Sequence, residues 1–492
     1  MLLKYLISGY DVMTTLGNLE VDITNIAYDN RKVKKDGLFV CIDGTVTDGH
    51  QFISDAISMG AKAVLVSKDT DIPDGISCVR VKDTREGLAY VSSRFFGNPS
   101  AKFNLIGVTG TKGKTTVTFL IKSILESAGK KTGLVGSIIK CIGNEEYYMP
   151  RTTPESYDLQ FLFNEMVNRS VSDVIIEVAS QGIKFSRTAF CDFDIGVFTN
   201  LYRDHIAPNE HPDMEDYFNT KKKLFETCRT GFVNIDTTYG KEIAREAKCK
   251  VITFGIDSAS DIMAYDIILE GGKCRFKIKT GETCPEIGNI SGEYVLNMPG
   301  KYNIYNAVAA IGICGFIGVG YKNAEKGIRI CKVKGRSEKL ETNTNFDVII
   351  DHAHNGDSLE NVLKALRQTT EGKIICVFGC GGDRSKERRY GMGEVSGAYA
   401  DFTIITSDNP RTEDPEKIIL DIEEGMKKTD SEYIKITDRR LAIKHALETA
   451  SANDVVLLAG KGDETYQEFK DKTIHFDERE VVRELLEEIN HD

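Results

Sequence analysis

The segment Gly110-Thr111-Lys112-Gly113-Lys114-Thr115-Thr116 directly follows the apolar run FNLIGV. A strand, a glycine turn and a helix N-terminus make an anion cradle, with backbone N–H groups and the positive end of the helix dipole facing the phosphates. Lys114 adds a point charge, and the Thr115 hydroxyl suits Mg2+. The spacing is looser than the strict nucleotide loop, since Val108 stands where its first glycine would. Glu177 ends the apolar run DVIIEV, and His205 follows GVFTN in the segment NLYRDH. Ligands gather at strand C-terminal ends in open α/β sheets, so Thr115, Glu177 and His205 could converge around phosphate-bound Mg2+. Taken singly, a strand-end carboxylate is more often solvated and a lone histidine more often structural. Lys221-Lys222-Lys223 reads from charge pattern alone as a solvated helix face.

These residues need elements to hold them. After the loop, Val117, Leu120, Ile121, Ile124 and Leu125 recur at helical spacing, and Gly129 suits the C-terminal cap. Upstream, GLFVCI, AKAVLV and CVRV alternate with short helical stretches. From Lys102 to about Val333 runs a βα series through FNLIGV, DVIIEV, DIGVFTN and GFVNID. A third series, DVIID, IICVFG, DFTIIT and DVVLLAG, follows Gly335. Strands alternating with helices indicate doubly wound, mostly parallel sheets. The expectation is three consecutive α/β domains at 1–102, 103–333 and 334–492.

The bulk properties agree with a soluble enzyme. The 492 residues exceed what one core usually serves, and no run approaches the roughly 18 apolar residues of a membrane span. The N-terminus lacks the apolar core of a signal peptide, so the cytosol is expected. The 12 cysteines form no CxxC pairs or Cys-His clusters, which argues against zinc and against a disulfide framework. A net charge of −11 speaks against a nucleic-acid surface but not against anionic small substrates.

Eleven motifs occur in order: TGTKGKTT, TTPES, EVASQGIKFSR, FTNLYRDH, KKKLF, PGKYNIYNAVAAI, GRSEKLE, DHAHNGDSLENVL, VFGCGGDRSKERR, SDNPRTEDP and GKGDETYQ. Together they resemble the Mur ligase family from about Thr24 to the end, and within it the branch that adds the third residue of the peptidoglycan stem peptide. The resemblance implies an N-terminal domain for the UDP end, a central P-loop-type ATPase domain and a Rossmann-like C-terminal domain bringing the amino acid. Asn30, Arg31, His50 and Gln51 occupy its uridine-side positions. Thr152, Thr153, Ser180 and Arg187 match positions that hold the sugar-peptide. The loop residues Gly110 to Thr116 match the ATP site, as do Asn303, Asn306, Arg336 and Asp351, with His354 in the same motif. Thr115, Glu177 and His205 match the metal site. Lys221 matches the lysine carried as N6-carboxylysine, an anion that would help hold a second Mg2+ and would reverse the solvated-face reading. Lys114, Lys221 and His205 are the expected catalytic residues.

On the amino-acid side the resemblance implies Arg389, Asp408, Asn409, Arg411, Gly460 and Glu464. An arginine fork at Arg411 fits the distal carboxylate of meso-diaminopimelate and would repel the ammonium of L-lysine. Asp-Asn-Pro-Arg is also a turn before a helix, and both readings hold together. The implied reaction passes the γ-phosphate of ATP to the D-Glu side-chain carboxylate of UDP-MurNAc-L-Ala-D-Glu, and diaminopimelate then attacks the acyl phosphate. ATP and Mg2+, two small-molecule substrates and a monomer are the expected components. Several positions depart from the family pattern: Asn30, Gln181-Gly182, Tyr202, the APNEHPDMEDYF segment, His352, Asn355-Gly356 and Asp463. None removes a phosphate or metal ligand, and several lie near substrate. The same chemistry with L-lysine, another amino acid or another UDP-sugar stays open on those grounds. Folate-type polyglutamate ligation fits DNPR and GGDR less well, and a non-catalytic scaffold would not need Lys114, Glu177 and Lys221.

Overall fold

The computed structural model describes residues 1–44, 47–147, 149, 151–207, 210–270, 272–281 and 284–491. It divides into two compact units, Met1–Ile262 with Gly281–Pro285, and Met263–Thr280 with Glu286–Asp492.

The first unit opens with a five-stranded sheet ordered Val12–Leu16, Ser77–Val81, Ala61–Val66, Gly37–Val40 and Asn25–Ala27. All its pairs are parallel except the Val12–Leu16 edge. Leu38, Val40, Ala63, Leu65, Val79 and Val81 bury one face of it against Leu88 and Val91 of the helix Thr84–Phe95. That helix starts where it does because the Asp83 carboxylate accepts from the N–H groups of Arg85 and Glu86.

Its second sheet runs Lys250–Gly255, Thr230–Asn234, Ile195–Phe198, Asn104–Thr109, Asp173–Glu177 and Thr132–Val135, all parallel, and ends in antiparallel Lys140–Ile142 and Glu145–Tyr147. The chain enters at Asn104–Thr109 and builds outward to both sides of it. The end of that strand is therefore a topological switch point, where open α/β sheets bind ligands. The phosphate loop leaves there. The expected helix is Lys114–Ser127, its five predicted apolar residues are all fully buried, and Gly129 takes φ 78° just past its end.

In the second unit, strands Lys273–Thr280 and Gly292–Leu296 pair antiparallel ahead of the helices Lys301–Phe316 and Tyr321–Ile330. A six-stranded sheet follows, ordered Glu338–Lys339, Asp347–Asp351, Val455–Ala459, Ile374–Phe378, Phe402–Ile405 and Glu432–Lys435, parallel beyond the first pair. Helices Gly356–Arg367, Lys386–Tyr399 and Pro415–Met426 cover one face, and Arg439–Thr449 and Glu478–His491 the other.

The expected α/β alternation is thus present in all three stretches of chain. The division into compact units falls inside the expected middle domain, near 262–286. Each sheet lies within one expected domain, and on that ground the boundaries at 102 and 333 are proposed. Among the described residues no helix is long and apolar enough to cross a membrane.

Candidate active site

Two glycines shape the phosphate loop. Gly110 has φ 144°, and a Cβ there would stand 2.0 Å from Thr199 Oγ1, so only glycine fits. Gly113, at φ 84°, is the N-cap of the helix. The end of the neighbouring strand holds the loop in shape. Thr199 Oγ1 and Asn200 Nδ2 donate to the Lys112 carbonyl at 2.7 and 3.1 Å, and Lys112 N donates to Asn200 Oδ1 at 2.9 Å. Lys114 Nζ donates to the carbonyls of Gly110 and Thr111, both at 2.9 Å, and so lies folded over the loop it serves.

Thr115 Oγ1 donates to Glu177 Oε1 at 3.0 Å, and the Glu177 side chain is almost wholly enclosed at 1% exposure. Ser137 completes the group. Its N–H donates to Glu177 Oε1 at 2.9 Å, and its hydroxyl reaches Glu177 Oε2 at 3.2 Å and Thr152 Oγ1 at 2.9 Å. Hydroxyl and carboxylate oxygens at this spacing are the donors Mg2+ prefers. His205 is not part of that cluster's hydrogen bonding. Its ring reaches Glu210 Oε2 at 2.8 Å and is 43% exposed, on a backbone with φ 57°. His211 anchors this loop, donating its N–H to the His205 carbonyl at 3.1 Å while its ring holds Asp216 Oδ2 at 2.6 Å. Pro208 and Asn209, in the variant segment, lie outside the described residues. Among the described residues no three His, Cys, Asp or Glu side chains form a metal cluster.

Lys221 overturns the solvated-face reading of its basic run. It is buried to 1% exposure, while Lys223 two positions on is exposed. Its Nζ donates to the Gly110 carbonyl at 3.0 Å and sits 4.7 Å over the Tyr217 ring. Burial, reinforced by the nearby Lys114 charge, holds its pKa well below the usual lysine value. The hydroxyl of Tyr217 meets Thr111 Oγ1 at 3.2 Å, which joins this helix to the phosphate loop.

The sugar-peptide residues divide. Thr152 stands beside Ser137, as above. Thr153 Oγ1 is spent internally, donating to the Glu177 carbonyl at 2.8 Å and accepting from Ala179 N at 3.0 Å. Ser180, also buried, begins the short helix Ser180–Lys184. Arg187 Nε donates to Glu155 Oε1 at 2.9 Å, and burial pulls the Arg187 pKa down. Glu155 also takes Arg151 at 2.6 Å and Arg85 at 3.7 Å, so an acidic hub gathers three arginines. On the N-terminal sheet, Asn30 and Arg31 follow one strand, and His50 and Gln51 follow its parallel neighbour. Arg31 is 83% exposed and pairs with Asp29 at 2.8 Å. Both His50 ring nitrogens are engaged, Nδ1 with Asp48 at 2.5 Å and Nε2 accepting from Ser67 N at 3.1 Å.

In the second unit, Asn303 Nδ2 donates to the Pro299 carbonyl at 2.8 Å, and Asn306 Nδ2 to Asn303 Oδ1 at 3.1 Å. Asp351 Oδ2 accepts from Ser337 N at 2.7 Å, Oδ1 accepts from Ala353 N at 2.8 Å, and burial raises this carboxyl's pKa. Arg336 leaves a buried Nε without a partner. His354 Nδ1 meets the His352 carbonyl at 2.8 Å.

Of the residues expected on the amino-acid side, Asp408, Asn409 and Glu464 close around a lysine that sequence reasoning missed. Lys461, fully buried, reaches Asp408 Oδ1 at 3.2 Å, Asn409 Oδ1 at 3.1 Å and Glu464 Oε2 at 3.4 Å. Asn409 Nδ2 donates to Glu464 Oε2 at 2.8 Å, and burial raises the Glu464 pKa. Gly460, at φ 111°, leaves room for Asp408 Oδ2 3.0 Å from where its Cβ would be. Arg411, at φ 50°, donates from Nε to Glu468 Oε2 at 3.0 Å and from Nη1 to the Gly382 carbonyl at 2.7 Å. Arg389 faces inward instead. At 1% exposure its guanidinium takes Glu413 at 2.6 and 2.9 Å and Asp421 at 2.9 Å, pinning the residues after the DNPR turn to two helices. These pairs brace the turn, while the buried Arg389 Nε has no hydrogen-bond partner. Ser137, Thr199 and Asn200 were missed as well; the last two lie inside the quoted FTNLYRDH motif.

Comparison with known proteins gives a consistent result. The family descriptions "Mur ligase family, catalytic domain", "Mur ligase middle domain" and "Mur ligase, glutamate ligase domain" match residues 22–95, 108–314 and 335–462. The UDP-N-acetylmuramoyl-L-alanyl-D-glutamate--2,6-diaminopimelate ligase of Caldanaerobacter subterraneus subsp. tengcongensis is 45% identical over 473 residues, covering 96% of each chain. A protein of the same name from Clostridium perfringens is 43% identical and covers 99% of this chain and 100% of that one. A solved structure bearing that enzyme name aligns over 100% of both chains, with 26% identity and a TM-score of 0.72.

Proposed function

Since the chain belongs to the Mur ligase family, we propose that it joins meso-diaminopimelate to the D-Glu side-chain carboxylate of UDP-MurNAc-L-Ala-D-Glu at the expense of ATP. The observation that carries this reading is the enclosed constellation at the sheet's switch point: Lys114 on the loop, Thr115 on Glu177, and the buried Lys221 amine on the Gly110 carbonyl. Relatives at 45% and 43% identity named for the diaminopimelate reaction support the choice of acceptor.

Each residue has a stated task. The loop N–H groups and Lys114 hold the ATP phosphates and neutralise charge as the γ-phosphoryl group moves to the substrate carboxylate, giving an acyl phosphate. Thr115 and Glu177 are the oxygen donors that would hold Mg2+, which when bound offsets phosphate charge. The deprotonated Lys221 amine attacks carbon dioxide through its lone pair and releases one proton. The resulting carbamate puts an anion beside the phosphate site. Arg411 offers its fork to the distal carboxylate of diaminopimelate, with Asp408, Asn409 and Glu464 receiving the ammonium and amide-bonding groups of the zwitterion. The ammonium loses a proton, the free amine attacks the acyl phosphate carbon through its lone pair, the carbon–oxygen bond to phosphate breaks, and the nitrogen gives up a second proton as the amide forms. The cytosol and a monomeric state accompany this reading.

Substrate labelled with oxygen-18 in the D-Glu side-chain carboxylate tests the acyl phosphate directly. One labelled oxygen should appear in the released phosphate. Unlabelled phosphate alongside normal amide product would reject this route.

A further inference from the structure

Two of the twelve cysteines meet at their sulfurs. Cys228 closes the short helix Leu224–Thr227, and Cys249 immediately precedes the strand Lys250–Gly255. Their Sγ atoms lie 3.6 Å apart. The contact is built into the sheet. Gly196 and Gly231 face each other in register on adjacent strands. A Cβ on Gly196 would come within 2.8 Å of Cys228 Sγ, and one on Gly231 within 3.3 Å of Cys249 Sγ. Two bare backbone positions thus leave the hollow in which both sulfurs rest.

The two thiols differ in ways that suit sequential chemistry. Cys249 is only partly buried and lies between Lys248 and Lys250, both exposed, so cationic side chains flank it in sequence. Cys228 is buried. The hydrogen bond that the Cys228 thiol donates lowers the Cys249 pKa toward the thiolate range, whereas that bond and burial raise Cys228. A low-pKa, accessible thiol beside a second cysteine is the arrangement of a redox-responsive pair.

We propose that Cys228 and Cys249 form a reversible disulfide when the protein meets a hydroperoxide. The Cys249 thiolate attacks one peroxide oxygen, the O–O bond breaks, and hydroxide leaves, giving a sulfenic acid. Cys228 then attacks that sulfur, the S–O bond breaks, and the oxygen departs as water with the Cys228 proton. Two electrons pass from the sulfurs to the peroxide, the departing hydroxide takes up the proton that Cys249 lost on ionising, and with hydrogen peroxide two waters form in all. The sulfurs close from 3.6 Å to roughly the 2.05 Å of a disulfide. The bond ties the end of the segment that carries Lys221 to the start of the strand Lys250–Gly255.

The test uses the full-length folded protein. It is treated with hydrogen peroxide, remaining thiols are alkylated, and the digest is mapped by mass spectrometry without reduction. A peptide joining Cys228 to Cys249 should be the major cross-linked product and should vanish after dithiothreitol. Cys249→Ser should abolish the link, and Cys228→Ser should leave Cys249 as a sulfenic acid that dimedone traps. Recovery of both thiols alkylated, separate over-oxidation of each, or linkage only after denaturation would overturn the proposal.

Discussion

At the residue scale, the site depends on positive groups held where phosphate charge must go. Lys114 is the one whose loss is easiest to interpret, because its Nζ donates to carbonyls of its own loop. Lys114→Ala should lower kcat by about 100- to 1,000-fold, the usual cost of deleting a preorganised charge stabiliser. An ADP-release assay with an unchanged melting temperature checks it. Lys221 behaves differently because its burden is burial. Its folded pKa lies well below the unfolded value of 10.5, so between the two the unfolded chain binds the extra proton. Stability of the unmodified protein should therefore rise with pH across that window, and Lys221→Met should flatten the rise. Melting curves in carbon dioxide-free buffers at several pH values would show either slope. Lys114 and Thr115 were legible from a local motif and Glu177 from its strand end, whereas Lys221 read from charge pattern as a solvated face and entered only through the family resemblance. Ser137, Thr199, Asn200 and Lys461 were not legible, since serine, threonine and asparagine are common and their partners are distant in the chain. Arg389 was legible as part of a motif, but its direction, toward Glu413 and Asp421, depended on two helices that sequence does not orient.

At the element scale, periodicity worked where an element has one apolar face or a full apolar core. The run Val117 to Leu125 gave the phosphate-loop helix, and DVIIEV gave a strand buried along its whole length. The antiparallel strands Lys140–Ile142 and Glu145–Tyr147 escaped notice because three-residue strands carry too little alternation to read. Ion pairs between elements were equally invisible. Arg439, on one helix, and Glu478, on another, are both wholly buried and meet at 2.7 Å, while Arg439 Nη2 also donates to the Ala459 carbonyl at 2.9 Å. Breaking such a pair strands a buried charge. Arg439→Met should cost about 3–5 kcal/mol, and pairing it with Glu478→Leu should recover most of that. Urea unfolding of the single and double variants measures the difference; equal loss in both would refute the account of this pair.

At the scale of the whole molecule, the alternating strand and helix pattern gave the α/β class and three successive sheets, because parallel strands buried on both faces leave long apolar runs. The compact units follow contact density instead, which is set by packing between segments far apart in sequence. The central claim is the diaminopimelate-adding reaction proposed for this chain. That claim is most directly tested by ADP release with UDP-MurNAc-L-Ala-D-Glu, comparing meso-diaminopimelate with L-lysine as acceptor. Turnover with diaminopimelate alone is the predicted result, with the preference weakened by Arg411→Ala. Turnover with L-lysine and not diaminopimelate, or with neither, would contradict the assigned reaction.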